Sequence, residues 1–426
     1  MKVCVLLSVL TCGVLTAGSY KNKPTYSADI APILNANCVS CHRPGQVAPF
    51  SLLTYSDAAK RATLLAEVTK SHYMPPWKPE PGFGEFKGER RLTPEQIQLI
   101  SDWAKAGAPP GDLKTAPAPP VFATGWSQGK PDVTLALQKP FEVPAESPDI
   151  YRCFVLPFQS EQAKYVKVME FRAGNPRIVH HALVYLDNTG QARKLAAQSG
   201  GDSYPCFGGT GFVLAGSLGG WAPGAVPYPL GPGLARTIPP NTDIVIQIHY
   251  HPDGKPETDL SQIGLWYGEA PTKGFTPILV LTRRIDIPPG DADYRVHASL
   301  VLPQDVQVIG ITPHAHYVCK ETKVEATLPD GKVVPLIWIK DWDFNWQGQY
   351  QFAQPISLPK GTTVTLDFTY DNSSGNPRNP SNPPKRITWG EQTTDEMAIA
   401  FLSVVLPSPA DVQPFRRALY FANVRH

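Results

Sequence analysis

The sequence predicts a mainly β protein in which two β-sandwich domains follow a small helical domain. Its 46 prolines and 34 glycines among 426 residues are typical of a chain with many turns. From about residue 121, short apolar runs alternate with Pro, Gly, Asn and Asp, as they do in antiparallel β-sandwiches. Helical periodicity is scarce after residue 110, and the remaining stretch of about 305 residues suits two sandwiches better than one.

The first eighteen residues have the pattern of a secretory signal peptide. Lys2 supplies one positive charge, Val3 to Leu15 form a short apolar core, and small residues surround Gly18. Export would make the mature protein periplasmic or secreted, in an oxidising compartment that permits disulfides and covalent haem attachment. We expect no transmembrane segment, since no other stretch is long and apolar enough. We also expect no nucleic-acid partner, because 39 basic and 37 acidic residues nearly cancel.

We expect residues 22–112 to form a cytochrome c-like haem domain. Cys38, Cys41 and His42 make the C-x-x-C-H signature, in which two thioethers hold one haem c and the histidine binds its iron. The second axial ligand must come from later in this region. Met74 is the candidate, and His72 is the alternative. A methionine buried in a core would equally explain Met74.

The rest of this region contains a capped helix and a linker. Thr93 and Gln96 have the spacing of a capping box, and Gly107 would end the helix that they begin. Residues 113–120 are rich in proline and predict an extended linker.

Short apolar runs predict the strands of the two later domains, which we place at residues 121–268 and 269–426. The runs bounded by turn residues are Val133-Leu137, Ala163-Phe171, Ile178-Leu186, Ile244-Tyr250, Val306-Ile311, Val324-Leu328 and Thr362-Tyr370. The stretch with the least strand character lies near Gly268-Pro277, and we place the boundary between the two domains there.

Histidine pairs lie at three of these predicted strands, although the chain has only ten histidines. His314 and His316 follow an apolar run, and side chains two residues apart on a strand point to the same face. His180-His181 and His249-Tyr250-His251 are the other pairs. Imidazoles on one face can bind copper, zinc, iron or nickel.

Met397 is a candidate soft ligand, because a thioether beside paired histidines selects Cu(I) over zinc. Taken alone, a single methionine at the start of a strand is more often part of a core. The chain has four methionines: Met1, Met74, Met169 and Met397.

The order of these parts resembles that of the type II copper, ascorbate-dependent monooxygenases, such as the peptidylglycine α-hydroxylating and dopamine β-monooxygenases. The family has an adjacent His pair, a Gln-x-His-Tyr segment, a His-x-His segment and a Glu-Met pair, in that order. The matching residues here are His180-His181, Gln247-Ile248-His249-Tyr250, His314-Ala315-His316 and Glu396-Met397. Further matches are Tyr151-Arg152-Cys153, Trp221-Ala222-Pro223-Gly224 and Leu230-Gly231-Pro232-Gly233.

The resemblance implies two jelly-roll-like sandwiches that hold two copper ions. It assigns an electron-transfer copper to His180, His181 and His249, and the oxygen-binding, catalytic copper to His314, His316 and Met397. Because neighbouring residues face opposite ways on a regular strand, His180 and His181 can share an ion only at a bulge or a twist. Cys153 and Cys206 coincide with a disulfide of the family, which leaves Cys319 unpaired. His251 lies outside the family's ligand set.

The implied activity is hydroxylation of a substrate C–H bond with O2 and two electrons. The haem domain would relay electrons from a periplasmic donor to the coppers, since the animal enzymes use ascorbate and lack this domain. The peptide-hydroxylating members have an arginine where this chain has Thr312, so a peptide carboxylate is a doubtful substrate group, and the small organic substrate is unknown.

Two other functions fit the same residues. One is a periplasmic copper and haem electron-transfer or copper-binding protein without hydroxylase activity. The other is a binding module stabilised by zinc, which metal analysis would distinguish.

Overall fold

The structure, a computed structural model, describes residues 23–46, 48–122, 125–158 and 160–423. The chain divides into two compact units. Unit 1 comprises the chain up to Arg43, Phe50–Pro75 and Arg91–Pro120, and unit 2 comprises Pro44–Pro49, Pro76–Arg90 and the chain from Val121 onward. The predicted signal peptide, residues 1–18, lies outside the described residues.

Helices dominate unit 1. They are a π-helical turn at Tyr26–Ile30, α1 (Ala31–Asn37), α2 (Tyr55–Ala59), α3 (Ala62–Lys70), α4 (Pro94–Lys105) and a 3-10 turn at Leu113–Thr115. The capping box predicted for α4 is confirmed: Thr93 Oγ1 accepts the Gln96 N–H at 3.2 Å, and Gln96 Oε1 accepts the Thr93 N–H at 2.9 Å. Gly107 follows the helix with φ +82°, a left-handed conformation that suits a glycine.

Strands dominate unit 2 and fall into two consecutive groups. The first group is β1 (Val133–Ala136), β2 (Phe141–Val143), β3 (Ile150–Leu156), β4 (Lys164–Arg172), β5 (Val179–Asp187), β6 (Ser203–Pro205), β7 (Gly216–Trp221), β8 (Arg236–Ile238), β9 (Asp243–Tyr250), β10 (Glu257–Asp259) and β11 (Gln262–Tyr267), with α5 (Gln191–Gln198) after β5. The second group is β12 (Gly274–Thr282), β13 (Asp286–Ile287), β14 (Tyr294–Val301), β15 (Val306–His314), β16 (Cys319–Thr327), β17 (Val333–Ile339), β18 (Tyr350–Leu358), β19 (Thr363–Tyr370), β20 (Ile387–Thr388) and β21 (Ala398–Leu406), followed by a 3-10 turn at Pro409–Asp411 and α6 (Val412–Asn423). Every predicted strand run overlaps an observed strand, and the mainly β class is confirmed.

The first group forms two main sheets around one core. Their strand orders are β1-β11-β4-β8 and β6-β3-β9-β5-β7, and all pairings are antiparallel. Apolar side chains from both sheets are buried together, because alternate residues of β4 and β11 meet those of β5 and β9. β9 is buried along its whole length. Cys153 on β3 and Cys206, just after β6, form the disulfide that the resemblance implied.

The second group repeats this arrangement with sheets β12-β21-β15-β18 and β14-β19-β16-β17. Their pairings are again antiparallel, and one continuous apolar core lies between them. Phe415 of α6 is fully buried in the same core. The change from the first group of sheets to the second falls between Tyr267 and Gly274.

Residues Pro76–Arg90, here called the strap, pack on the second group of sheets. The strap lies within the predicted haem domain in sequence but belongs to unit 2 in the structure. Phe86 pairs with Phe352 on the edge strand β18, the Lys87 N–H donates to Gln351 O at 2.8 Å, and the Ala353 N–H donates to Glu85 O at 2.7 Å. The Phe86 side chain is 7% exposed and stacks on Phe352. The strap therefore extends the sheet at β18.

Among the described residues, none of the helices has the length and apolar character needed to cross a lipid bilayer.

Candidate metal centres

The register of three neighbouring strands brings three of the predicted ligands together. In the β5–β9 pair His181 lies opposite His249, while Val179 lies opposite Tyr250. One residue, His180, is therefore extra on β5, and this bulge is one of the two distortions, a bulge or a twist, that sharing an ion would require. The bulge lets two sequential side chains lie on the same side of the sheet as His249.

The imidazole Nδ1 atoms of this triad, His180, His181 and His249, converge. The distance from His181 Nδ1 is 3.2 Å to His180 Nδ1 and 3.4 Å to His249 Nδ1. One nitrogen from each ring lies within 4.8 Å of the others. Nitrogen ligands that each lie about 2 Å from a shared ion have such separations.

Burial keeps two of the triad's rings, those of His180 and His181, in the neutral form that a metal needs. The pKa of His180 is lowered to about 3, chiefly by burial and then by the charge of His249. The pKa of His181 is also well below its usual range, because of burial and then of His249 and His180. Neutral imidazoles bind metal, whereas imidazolium ions do not. The donor set of three imidazoles suits copper or zinc.

Asp149 lies behind the triad, on the side of His249 that faces away from the other two rings. Its Oδ2 is 3.0 Å from His249 Nε2, although the two atoms are not aligned for a well-formed hydrogen bond, and its Oδ1 is 2.7 Å from Nδ1 of the exposed His251. Burial alone would raise the pKa of Asp149, but His249 and His251 hold it below its usual range. The Tyr151 ring stacks on His249 at 4.2 Å. His249 is thus held from two directions.

His314 and His316 form a second group at the end of β15, with ring centroids 5.2 Å apart. Each ring has an oxygen acceptor at Nδ1: Gln347 Oε1 for His314, and Asp395 O at 3.0 Å for His316. A proton held at Nδ1 leaves the Nε2 lone pair free to bind a metal. The pKa of His316 is lowered to about 3, chiefly by burial and then by His314.

The Glu396 carboxylate links the backbone of Met397 to that of His316. The pairing of β15 with β21 ends with His314 opposite Ile399; His316 lies two residues beyond it on one chain segment, and Met397 two residues before it on the other. The Glu396 carboxylate is fully buried and accepts backbone N–H groups of His316 at 2.8 Å, Val318 at 2.7 Å and Met397 at 3.3 Å. Burial raises the pKa of Glu396 to about 8, and these donors oppose the rise.

The loop between β17 and β18 contacts both histidine groups. Its Phe344 ring stacks on His180 with centroids 4.7 Å apart and an interplanar angle of 15°. The same ring lies edge-to-face with His316 at 5.9 Å and 89°. The Phe344 ring therefore lies within 5.9 Å of one histidine ring of each group, measured between ring centroids.

The predicted haem residues lie in unit 1. Cys38 and Cys41 are free and half-buried, and the His42 N–H closes a turn onto Cys38 O at 2.9 Å. His42 Nδ1 lies 3.1 Å from Phe50 O, so its Nε2 is the ring nitrogen left for iron. The Met74 N–H donates to Val68 O at 3.0 Å, and His72 has φ +55°. Haem attachment and the choice between Met74 and His72 stay predictions.

Sequence reasoning missed the residues that surround the ligands. Asp149, Gln347 and Trp342, whose Nε1–H donates to His316 O at 3.1 Å, belong to no ligand pattern. Phe344 also belongs to no such pattern. The family pattern did contain Glu396, next to Met397, but without a role. Cys319 is buried and unpaired, as expected.

No family model matches this chain, and no curated protein matches it. Solved structures with partial likeness include the major capsid protein P2 of bacteriophage PM2, at 11% identity and a TM-score of 0.24, covering 64% of this chain and 97% of that one. PNGF-II has 10% identity and a TM-score of 0.27, covering 64% and 65% of the two chains. The exported protein XepA of PBSX has 8% identity and a TM-score of 0.17, covering 56% and 86%. These likenesses carry no argument about function.

Proposed function

We propose that this chain is an exported, haem-containing copper monooxygenase that hydroxylates a C–H bond of a small organic molecule with O2 and two electrons. The observation that carries the proposal is the convergence of three imidazoles, those of His180, His181 and His249, beside the bulge of β5. In this proposal the two groups of sheets are the jelly-roll-like sandwiches of the type II copper monooxygenases, which the order of motifs resembles.

In the first site, His180, His181 and His249 would hold a copper ion through Nδ1. None of these ligands is a thioether, and Asp149 would fix the orientation of the His249 ring. A site with only imidazole ligands suits an ion that passes electrons and returns to its starting state.

In the second site, His314 and His316 would offer Nε2, and Met397 would add sulfur. The soft thioether favours Cu(I), the state that reacts with O2, and this bound copper would supply the oxidising chemistry. Gln347 and Asp395 O hold the Nδ1 protons of the two rings, and Glu396 holds the backbone of His316 and Met397 in place.

The haem domain is proposed from sequence alone. Cys38 and Cys41 would attach one haem c, with His42 and Met74 as axial ligands of its iron. Such a haem would pass electrons from a periplasmic donor to the coppers. Thr312, in place of the family's arginine, disfavours a substrate held by a terminal carboxylate.

The deciding experiment supplies the copper-loaded protein with ¹⁸O2, a reductant and mixtures of small organic metabolites, and analyses the products by mass spectrometry. We expect one labelled oxygen atom per product molecule. Copper should be present at about two ions per chain, as the two donor sets require.

The matched controls are His249→Ala, which removes a triad ligand, and His297→Ala, which removes an exposed histidine paired with Asp367. Only His249→Ala should abolish labelling. Oxygen consumption without a labelled product would favour an electron-transfer or copper-binding protein. Zinc as the bound metal would favour a structural site.

A further inference from the structure

Phe344 is buried where the two histidine groups face each other. Its side chain is 6% exposed and contacts His180 of the first group of sheets and His316 of the second. A third ring, Tyr317, lies 4.5 Å from it. Among the ring contacts of the described residues, Phe344 alone links one histidine of each group.

The loop that carries Phe344 is tied to the second histidine group by its side chains. Trp342 Nε1–H donates to His316 O at 3.1 Å. Gln347 contacts His314 Nδ1 through Oε1, while its Nε2 donates to Phe344 O at 3.1 Å. The Gln347 side chain thus connects a candidate ligand directly to the backbone of Phe344. A displacement of this loop would therefore alter both histidine groups.

We propose that Phe344 is the spacer that sets the distance between the two metal sites. Stacking fixes the His180 ring against one face of Phe344, and the edge-to-face contact fixes the His316 ring against it at nearly a right angle. Because the loop anchors Phe344 on the second group of sheets, its ring holds the triad of the first group at a set separation. The proposal rests on the proposed function in one respect, namely that both groups bind copper.

This assignment makes Phe344 a positioning residue. It has no atom that could bind copper or transfer a proton. Its effect would be on how far apart the coppers lie, and hence on electron passage between them.

The test measures the dipolar interaction between the two Cu(II) ions by pulsed electron paramagnetic resonance in the resting, full-length protein. We compare the wild type with Phe344→Ala, Phe344→Leu and Phe344→Tyr. Phe368→Leu is the matched control, because Phe368 is also buried but stacks on Tyr370 inside the core. Copper per chain is measured for every sample.

We expect one narrow distance distribution for the wild type, Phe344→Tyr and Phe368→Leu. Phe344→Leu, which keeps bulk but loses the flat ring, should show a shifted and broader distribution, and Phe344→Ala a larger change. If Phe344→Leu and Phe344→Ala each bind two coppers and keep the wild-type distance distribution, the proposal is overturned. Shifted distances in a protein that hydroxylates nothing would leave the spacer standing and reject the monooxygenase. Fewer than two bound metals in the wild type would reject both the spacer role of Phe344 and the monooxygenase.

Discussion

Which imidazole nitrogen is free differs between the two histidine groups, and in His249, His314 and His316 an oxygen of a neighbouring residue lies at the other nitrogen. In the triad the Nδ1 atoms face one another, and Asp149 lies near Nε2 of His249. In the second group oxygen acceptors lie at Nδ1 of both rings, which leaves Nε2. The sequence could indicate the histidines through their spacing, but these tautomer-setting partners lie far along the chain and follow no spacing.

Asp149→Asn should weaken metal binding at the triad. The substitution removes the negative charge beside His249 Nε2, and loss of such an orienting partner typically costs about 10- to 100-fold in metal affinity. Titration of the metal-free protein with Cu(II) or Co(II) measures the change. His251→Gln is the control, since it leaves Asp149 beside His249; equal affinity in Asp149→Asn and the wild type would contradict the assigned role.

Met397→Ile should abolish hydroxylation while preserving the fold. A thioether is lost at similar volume, so the free energy of unfolding should change by less than about 1.5 kcal/mol. Copper content should fall toward one ion per chain at limiting metal, with the triad still loaded. Two tightly bound coppers and full turnover would show that Met397 is only a core residue. Met169→Ile, at a partly buried side chain packed against the core of the first group of sheets, is the control.

At the scale of elements, short apolar runs bounded by turn residues were enough to locate the strands that carry the histidines. The bulge of β5 was predictable as well, because His180 and His181 cannot both face one ion from a regular strand. The β17–β18 loop was not, since its aromatic and amide residues have no period that would place them beside either histidine group. The pairing of the strap with β18 was hidden for a similar reason: Phe86 lies in a stretch rich in Pro and Gly, and its partner Phe352 is remote in sequence.

Removing the disulfide by Cys153→Ala with Cys206→Ala should destabilise unit 2. The bond closes a loop with a sequence separation of 53, for which chain entropy predicts a loss of about 4 kcal/mol in the free energy of unfolding. Chemical denaturation of the double variant measures the loss. Cys319→Ala, which removes a buried but unpaired thiol, should cost clearly less. Similar losses for the two variants would contradict a stabilising disulfide.

At the scale of the whole molecule, the histidines whose pKa is lowered by burial make the free energy of unfolding depend on pH. The pKa values of His180 and His316 fall from 6.5 to about 3 on folding. Between these values the unfolded chain binds more protons than the folded protein, so stability decreases as the pH drops through this window. For the metal-free protein we expect a slope of about 1.4 kcal/mol per pH unit for each of these rings.

Denaturation of the metal-free protein at a series of pH values between 7 and 4 checks this slope. His180→Asn should reduce it, whereas substitution of the exposed His297 by Gln should not. A slope that is unchanged in His180→Asn would contradict the effect of burial.

Phe86→Ala should destabilise unit 2, although Phe86 is more than 30 residues before the first strand of that unit. Removal of a buried phenylalanine costs about 3–5 kcal/mol. The free energy of unfolding, followed by the fluorescence of the tryptophans, measures the loss. Phe421→Ala, at a side chain 70% exposed, should cost within about 0.5 kcal/mol. Equal values for the two variants would show that the strap is not part of the core.

The strap also determines where this chain can be cut. A gene fragment that starts at residue 121 would contain every strand of unit 2 but would leave out Phe86 and the backbone groups that pair with Gln351 and Ala353. The unpaired edge of β18 would then be free to pair with a strand of a second molecule. We therefore expect recombinant fragments that lack residues 76–90 to associate or precipitate, and the two units to be inseparable by any single cut in the linker.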